Sequence, residues 1–126
     1  MVQNVELVRE PISSTAKPTA EEAGAHILFF GVVRAVEAGK QIGGLEYEAF
    51  EAMALHQFHK IFHEMEQRWP LHSVDVIHRL GAVPVGEASL RVEVLAAHRQ
   101  EAFEACQFLI DQMKKVVPIW KKPIFE

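Results

Sequence analysis

Val74-Asp75-Val76-Ile77-His78-Arg79-Leu80-Gly81, followed shortly by Leu90-Arg91-Val92-Glu93-Val94-Leu95-Ala96, alternates in period two in both runs. That period belongs to a strand with one face against a core. Val74, Val76, His78 and Leu80 share one side of the first strand, which Gly81 closes. Leu90, Val92, Val94 and Ala96 share one side of the second. Strands adjacent in the chain favour antiparallel pairing. Immediately downstream, apolar residues recur at Ala102, Phe103, Cys106, Leu109, Ile110, Met113, Val116 and Val117, a helical arc. This final helix runs from about Arg99 to Val117 and cannot pass Pro118.

Upstream, Phe50, Met53, Ala54, Phe58, Ile61, Phe62, Met65 and Trp69 mark a second helix, ended by Pro70. Leu45 to Ala49 reads as a strand leading straight into it. His26 to Val33 is a continuous apolar run and reads as a buried central strand. Gln3 to Arg9 alternates weakly and reads as another strand. Thr19-Ala20-Glu21-Glu22 fits a capping box and predicts a short helix. Ala35 to Gly44 holds three glycines and reads as a mobile loop. The order of elements is α+β, with a largely antiparallel sheet and helices packed on it.

The 126 residues, 49% hydrophobic, form one domain over residues 1–126, with no repeats and no dividing linker. No apolar run is long enough to span a bilayer, and the first residues lack the pattern of a secretory signal. A single cysteine makes no internal disulfide, so the expected compartment is a reducing cytoplasm. A net charge of -4 argues against nucleic acid as a partner.

Against that acidic balance, four of the 13 Lys and Arg residues fall between 114 and 122, with no acid among them. A local excess of cations points to an anion-binding pocket. Lys114 lies at the edge of the final helix's apolar arc, while Lys115 points away from it. The expectation is a Lys114 stem against the core and an ammonium only partly hydrated, which lowers a lysine pKa and suits proton transfer. The plainer alternative is a snorkelling side chain. Lys121 and Lys122 lie beyond Pro118, where periodicity does not place them; the plain alternative is a solvated basic tail. His98 and Arg99 begin the final helix, where free N–H groups favour an anion. Arg34 ends a strand, at the rim of the sheet.

Other candidates are weaker. His56, His59 and His63 share the polar stripe of the middle helix and have ligand-like spacing, but no carboxylate or cysteine partner is evident. Cys106 lies within the apolar arc and reads as a small hydrophobe. Phe108 points off that arc, so a second surface should cover the helix there.

Gly31-Val32-Val33-Arg34, Leu45-Glu46-Tyr47-Glu48-Ala49-Phe50-Glu51-Ala52-Met53-Ala54, Arg68-Trp69-Pro70-Leu71, Val76-Ile77-His78-Arg79-Leu80-Gly81, Ala97-His98-Arg99 through Ala102-Phe103-Glu104-Ala105, and Pro118-Ile119-Trp120-Lys121 occur in one order. Over residues 25–122 they resemble the large, catalytic subunit of molybdopterin synthase, a MoaE-like family. The resemblance implies an α/β-hammerhead fold and a homodimer carrying a small ubiquitin-like sulfur-carrier subunit at each end, a heterotetramer. It implies a sulfurtransferase that passes sulfur from the small subunit's C-terminal Gly-Gly thiocarboxylate to cyclic pyranopterin monophosphate (precursor Z), forming the dithiolene of molybdopterin. By the same resemblance Lys114 and Lys121 are catalytic, and Arg34, His98, Arg99, Lys114, Lys121 and Lys122 bind substrate. No cofactor, metal, nucleic acid or membrane is implied.

The sequence departs from the family at Pro123, where relatives carry an acidic residue and a further tail, and in its first twenty-odd residues. Two other functions follow from the residues. One is a catalytically impaired homologue acting as a phosphate-, pterin- or partner-binding module. The other is a metal-binding protein using His56, His59 and His63.

Overall fold

The structure is a computed structural model, which describes residues 1–18 and 20–125. In chain order the elements are β1 (Val2–Val8), β2 (Ala25–Val32), β3 (Val36–Glu37), β4 (Lys40–Gln41), β5 (Gly44–Ala49), α1 (Glu51–Arg68), β6 (Leu71–Arg79), β7 (Gly81–Pro84), β8 (Ala88–Ala96), α2 (Arg99–Val116) and β9 (Ile119–Ile124). The expected strands and both long helices are present, and the order is α+β. One four-stranded sheet runs β1-β6-β8-β2 and a three-stranded sheet runs β7-β5-β9. All these pairings are antiparallel except β1 with β6.

The alternation of β6 and β8 does what the sequence predicts on one side. Val74 pairs with Val94 and Val76 with Val92, all fully buried beneath α1 and α2. Phe58, Phe62 and Met65 from α1, with Ala102, Ala105 and Leu109 from α2, complete this core. Phe108 is half-buried against the end of α1, its ring meeting Trp69 edge-on at 5.4 Å between centroids. The covering surface expected for it is therefore the chain's own. Cys106 is buried, and burial pushes its thiol above the ordinary value.

Several expectations need correction. The apolar run of β2 is not central: it forms an edge of its sheet and is only partly buried. An apolar run alone does not distinguish burial by neighbouring strands from burial by a helix on one face. The segment read as a loop from Ala35 to Gly44 contains a small hairpin, β3 with β4. Its two-residue turn, Ala38 and Gly39, has φ of 51° and 78°, the left-handed pair such hairpins require. The short helix expected near residue 20 is absent from the described residues, where a turn joins the Ala23 N–H to the Ala20 carbonyl; the Thr19 position lies outside them. Phe103, Val116, Met53 and Phe50 fit their helical arcs yet remain exposed. The segment after Pro118 is no loose tail: it is β9, paired along its length with β5.

Gly81 turns the chain from the large sheet into the small one. Its φ of 84° is one that L side chains rarely adopt, and the strand closure read from the sequence is this elbow. The other face of the large sheet is polar but buried. Glu93, Asp75, Arg91 and Arg79 lie there, and the segment before residue 19 straps across them. The Lys17 N–H donates to Glu93 at 2.9 Å, and Arg91 donates to the Thr15 carbonyl. Among the described residues no helix is long and apolar enough to cross a membrane.

Candidate functional site

A cavity of about 530 Å³ opens where the C-terminal end of α2 meets both sheets. The large sheet contributes Phe29, Gly31, His78 and Leu90, the small sheet Tyr47 and Ile119, and the helix Met113, Lys114 and Val117. Arg34, Lys114 and Lys121 all stand in its wall, and among the described residues no carboxylate does. Three cations well separated in sequence therefore converge on one cleft. The convergence follows from topology. Arg34 leaves the end of β2, Lys114 sits on the last turn of α2, and Lys121 is carried back by β9 opposite Tyr47 of β5.

Arg34 and Lys114 are exposed and make no hydrogen bond or ion pair within the described residues. The chain alone thus does not supply the desolvation expected around Lys114. What it supplies is two unpaired cations facing a cavity. Lys121 differs: its Nζ is 3.1 Å from Glu37 Oε2, on the β3–β4 hairpin. Lys122 points the other way, toward Glu48 at 3.6 Å and Glu46 at 4.0 Å, and is not part of the cavity wall. Strand alternation explains the split, since neighbours on β9 face opposite sides.

The Glu37–Lys121 pair is part-exposed, and such pairs add little to stability. Its expected effect is on the cavity, where Glu37 would compete with an incoming anion for Lys121. Glu37→Gln should leave thermal stability unchanged and tighten binding of inorganic phosphate by up to about fivefold, read by calorimetric titration. Unchanged affinity would show that the hairpin does not restrain the lysine.

His98 and Arg99 are elsewhere. They line a second concavity at the opposite end of α2, with Gly24, Gln100 and Glu104. His98 caps the helix without a side-chain bond to its backbone; its Nδ1 lies 3.2 Å from Glu101 Oε1. From Arg99 to Lys114 the helix rises about 22 Å, so one chain does not bring the two groups to one small anion. His56, His59 and His63 are exposed on the outer face of α1, and no group of three metal-ligating side chains is assembled among the described residues.

Sequence reasoning missed Tyr47 and His78 as wall residues. The signal was present for His78, a histidine on the apolar side of a strand. Tyr47 faces its ring at 5.1 Å and 69° between planes.

A cavity walled by arginine and two lysines, with no acid of the described residues in the wall and set at the junction of two sheets, is suited to an anionic ligand. The family is shown by comparison with known proteins. The chain belongs to the MoaE family, whose model, described as "MoaE protein", matches residues 4–116. It is 48% identical over 103 residues to the molybdopterin synthase catalytic subunit of Bos taurus, an alignment covering 82% of this chain and 54% of that protein. The chain thus spans about half the length of such relatives. Its fold is similar to the crystal structure of molybdopterin synthase from Staphylococcus aureus, with a TM-score of 0.85 and 33% identity over 95% of this chain and 90% of that one. A complex of subunits 1 and 2 of molybdopterin-converting factor from Helicobacter pylori shares the fold at a TM-score of 0.76 and 24% identity, over 96% and 88% of the two chains.

Proposed function

We propose that this protein is the large subunit of a molybdopterin synthase. It is a sulfurtransferase that moves sulfur from the thiocarboxylated C-terminus of a small ubiquitin-like subunit to cyclic pyranopterin monophosphate, and it works in the cytoplasm. The observation that carries the reading is the cavity whose wall holds Arg34, Lys114 and Lys121 and, among the described residues, no acid. Substrate and attacking thiocarboxylate are both anionic, and opening a cyclic phosphate builds further negative charge. Fixed cations aimed at that charge stabilise it more in the transition state than before it. Membership of the MoaE family and the similarity to molybdopterin synthase catalytic subunits support this reading, and the cationic cavity is consistent with it. Lys114 faces the reacting centre, Lys121 steadies the acyl intermediate formed with the partner's tail, and Arg34 holds phosphate. Trp120 borders the cavity and its ring meets exposed Phe50 at 5.0 Å between centroids, tilted by 60°, offering an apolar landing for that tail.

His98 and Arg99 enter this reading through a second copy. Because they stand at the far end of α2 from their own Lys114, they complete the cavity of a partner protomer in a homodimer, itself the centre of a heterotetramer. The test uses purified protein with a thiocarboxylated small subunit and precursor Z, and measures molybdopterin formed. Lys114→Ala and Arg99→Ala should each be nearly inactive. Co-expressed, they should recover about a quarter of wild-type activity, because random pairing gives half mixed dimers with one intact site of two. No recovery would remove the shared-site reading and leave the single-chain cavity standing. Binding of partner and pterin without product, even at high protein concentration, would favour the impaired binding module instead.

A further inference from the structure

We propose that His78 is a catalytic base of the cavity, accepting through Nε2 a proton from the water that frees the partner's tail. The proposal rests on the sulfur-transfer reading above and adds a residue that reading does not use. His78 lies on β6, on the helix side of the large sheet, buried yet part of the cavity wall. Its Nδ1 is 2.9 Å from the Arg79 carbonyl oxygen. A carbonyl only accepts, so Nδ1 carries the hydrogen and the lone pair falls on Nε2. Nε2 makes no hydrogen bond among the described residues. It is also absent from the sealed, unpartnered polar atoms, which among the described residues are Arg79 Nε, Arg91 Nε and Glu101 Oε2. Nε2 is therefore open to the cavity.

The surroundings favour a neutral ring. Burial pushes the imidazole below its ordinary value, and the bond to the Arg79 carbonyl offsets this only in part. The charged and titratable groups that share the wall are Tyr47 from β5, Arg34 after β2, Lys114 from α2 and Lys121 from β9. Ammonium and guanidinium groups carry donors only, and Glu37, which pairs with Lys121, does not itself line the cavity, so among the described residues the imidazole is the wall's basic acceptor. The edge-on contact with Tyr47 fixes the ring in place.

The step balances without an oxidant or reductant. Sulfur held between the partner's acyl carbon and the pterin is released by water. The water oxygen bonds to the acyl carbon as one water proton passes to Nε2. The carbon–sulfur bond then breaks, the tail leaves as a carboxylic acid, and the proton on Nε2 moves to the departing sulfur. Hydrolysis of R–CO–S–R′ by water gives R–COOH and HS–R′.

His78→Gln in the assembled synthase tests this. We expect kcat to fall roughly 100-fold or more while KM stays within about threefold, the magnitude of a lost general base. The acidic limb of the kcat pH profile, where the ring becomes protonated and ceases to accept, should disappear. The acylated pterin should accumulate and be visible by mass spectrometry. A wild-type protein that makes product beside a variant with unchanged kcat and unchanged pH limb would overturn the base assignment alone. A wild-type protein that makes no product sinks the sulfur-transfer reading and His78 with it. Should the variant not fold, nitrogen NMR of the wild-type imidazole decides. Hydrogen on Nδ1, with an Nε2 signal that moves on adding inorganic phosphate, supports the proposal; hydrogen on Nε2, or no movement, overturns it.

Discussion

Lys114→Ala is expected to lower kcat by about two to three orders of magnitude, the usual cost of removing one preorganised group from developing negative charge. The fold should not notice. Lys114 is exposed on the last turn of α2, makes no ion pair, and lies outside both packed cores. Surface changes of this kind shift stability by about 0.5 kcal/mol or less, and alanine favours the helix. Loss of turnover with an unchanged thermal transition is therefore the signature. It is measured by coupled product assay and circular dichroism on the same preparation. A kcat within threefold of wild type would take Lys114 out of the chemistry, and the unpaired guanidinium of Arg34 would then be the leading cation.

Glu93→Ala should have the largest effect on stability. Glu93 is 0% exposed, at the centre of the strapped polar face of the large sheet. One oxygen accepts from His26 at 2.5 Å and from the Lys17 N–H at 2.9 Å, and the other lies 3.3 Å from Arg91. Removing the carboxylate takes away a partner of buried Arg91, leaving Asp75 at 3.7 Å as its remaining acid. Removing one partner of a buried pair costs about 3–5 kcal/mol, a fall in Tm on the order of 10–20 °C for a chain of this size.

The pH dependence has a definite sign. Burial pushes the Glu93 carboxyl up, but the bonds from His26 and Lys17, with the Arg91 charge, outweigh it and hold the group below its ordinary value of 4.5. A carboxyl lowered on folding adds stability that is fully present above the unfolded value and is lost as pH falls through the folded one. The gap between wild type and Glu93→Ala should accordingly narrow on acidification below about pH 4. A constant gap from pH 7 to pH 3 would show that Glu93 acts by packing rather than by charge.

Periodicity carried much of the fold. The helices and the paired β6 and β8 follow from repeats of three to four and of two, because burial on one face writes itself into the order of residues. It failed where burial comes from distant chain. Asp75, Arg91 and Glu93 alternate like a solvated face, yet a non-regular strap covers them, and no local pattern announces such a cover. β9 was invisible for a related reason. Lys121-Lys122-Pro123 has no strand-like alternation, and its pairing is supplied by β5, more than seventy residues earlier. The site was legible as a cluster of cations, and three of them meet. The distance of His98 and Arg99 from Lys114 was legible too, in the length of a helix read from about Arg99 to Val117; their grouping with Lys114 in one substrate site came from the resemblance and not from the residues.

That length sets a spacing. α2 is a rod of 18 residues with cationic groups at both extremities, and its rigidity fixes how far apart they stand and how they are turned about its axis. One residue inserted between Gln107 and Asp111 would rotate one extremity against the other by about 100°. In the homodimer proposed above the helix would thus serve as a caliper, setting two reaction centres against each other, and that single insertion should disturb both.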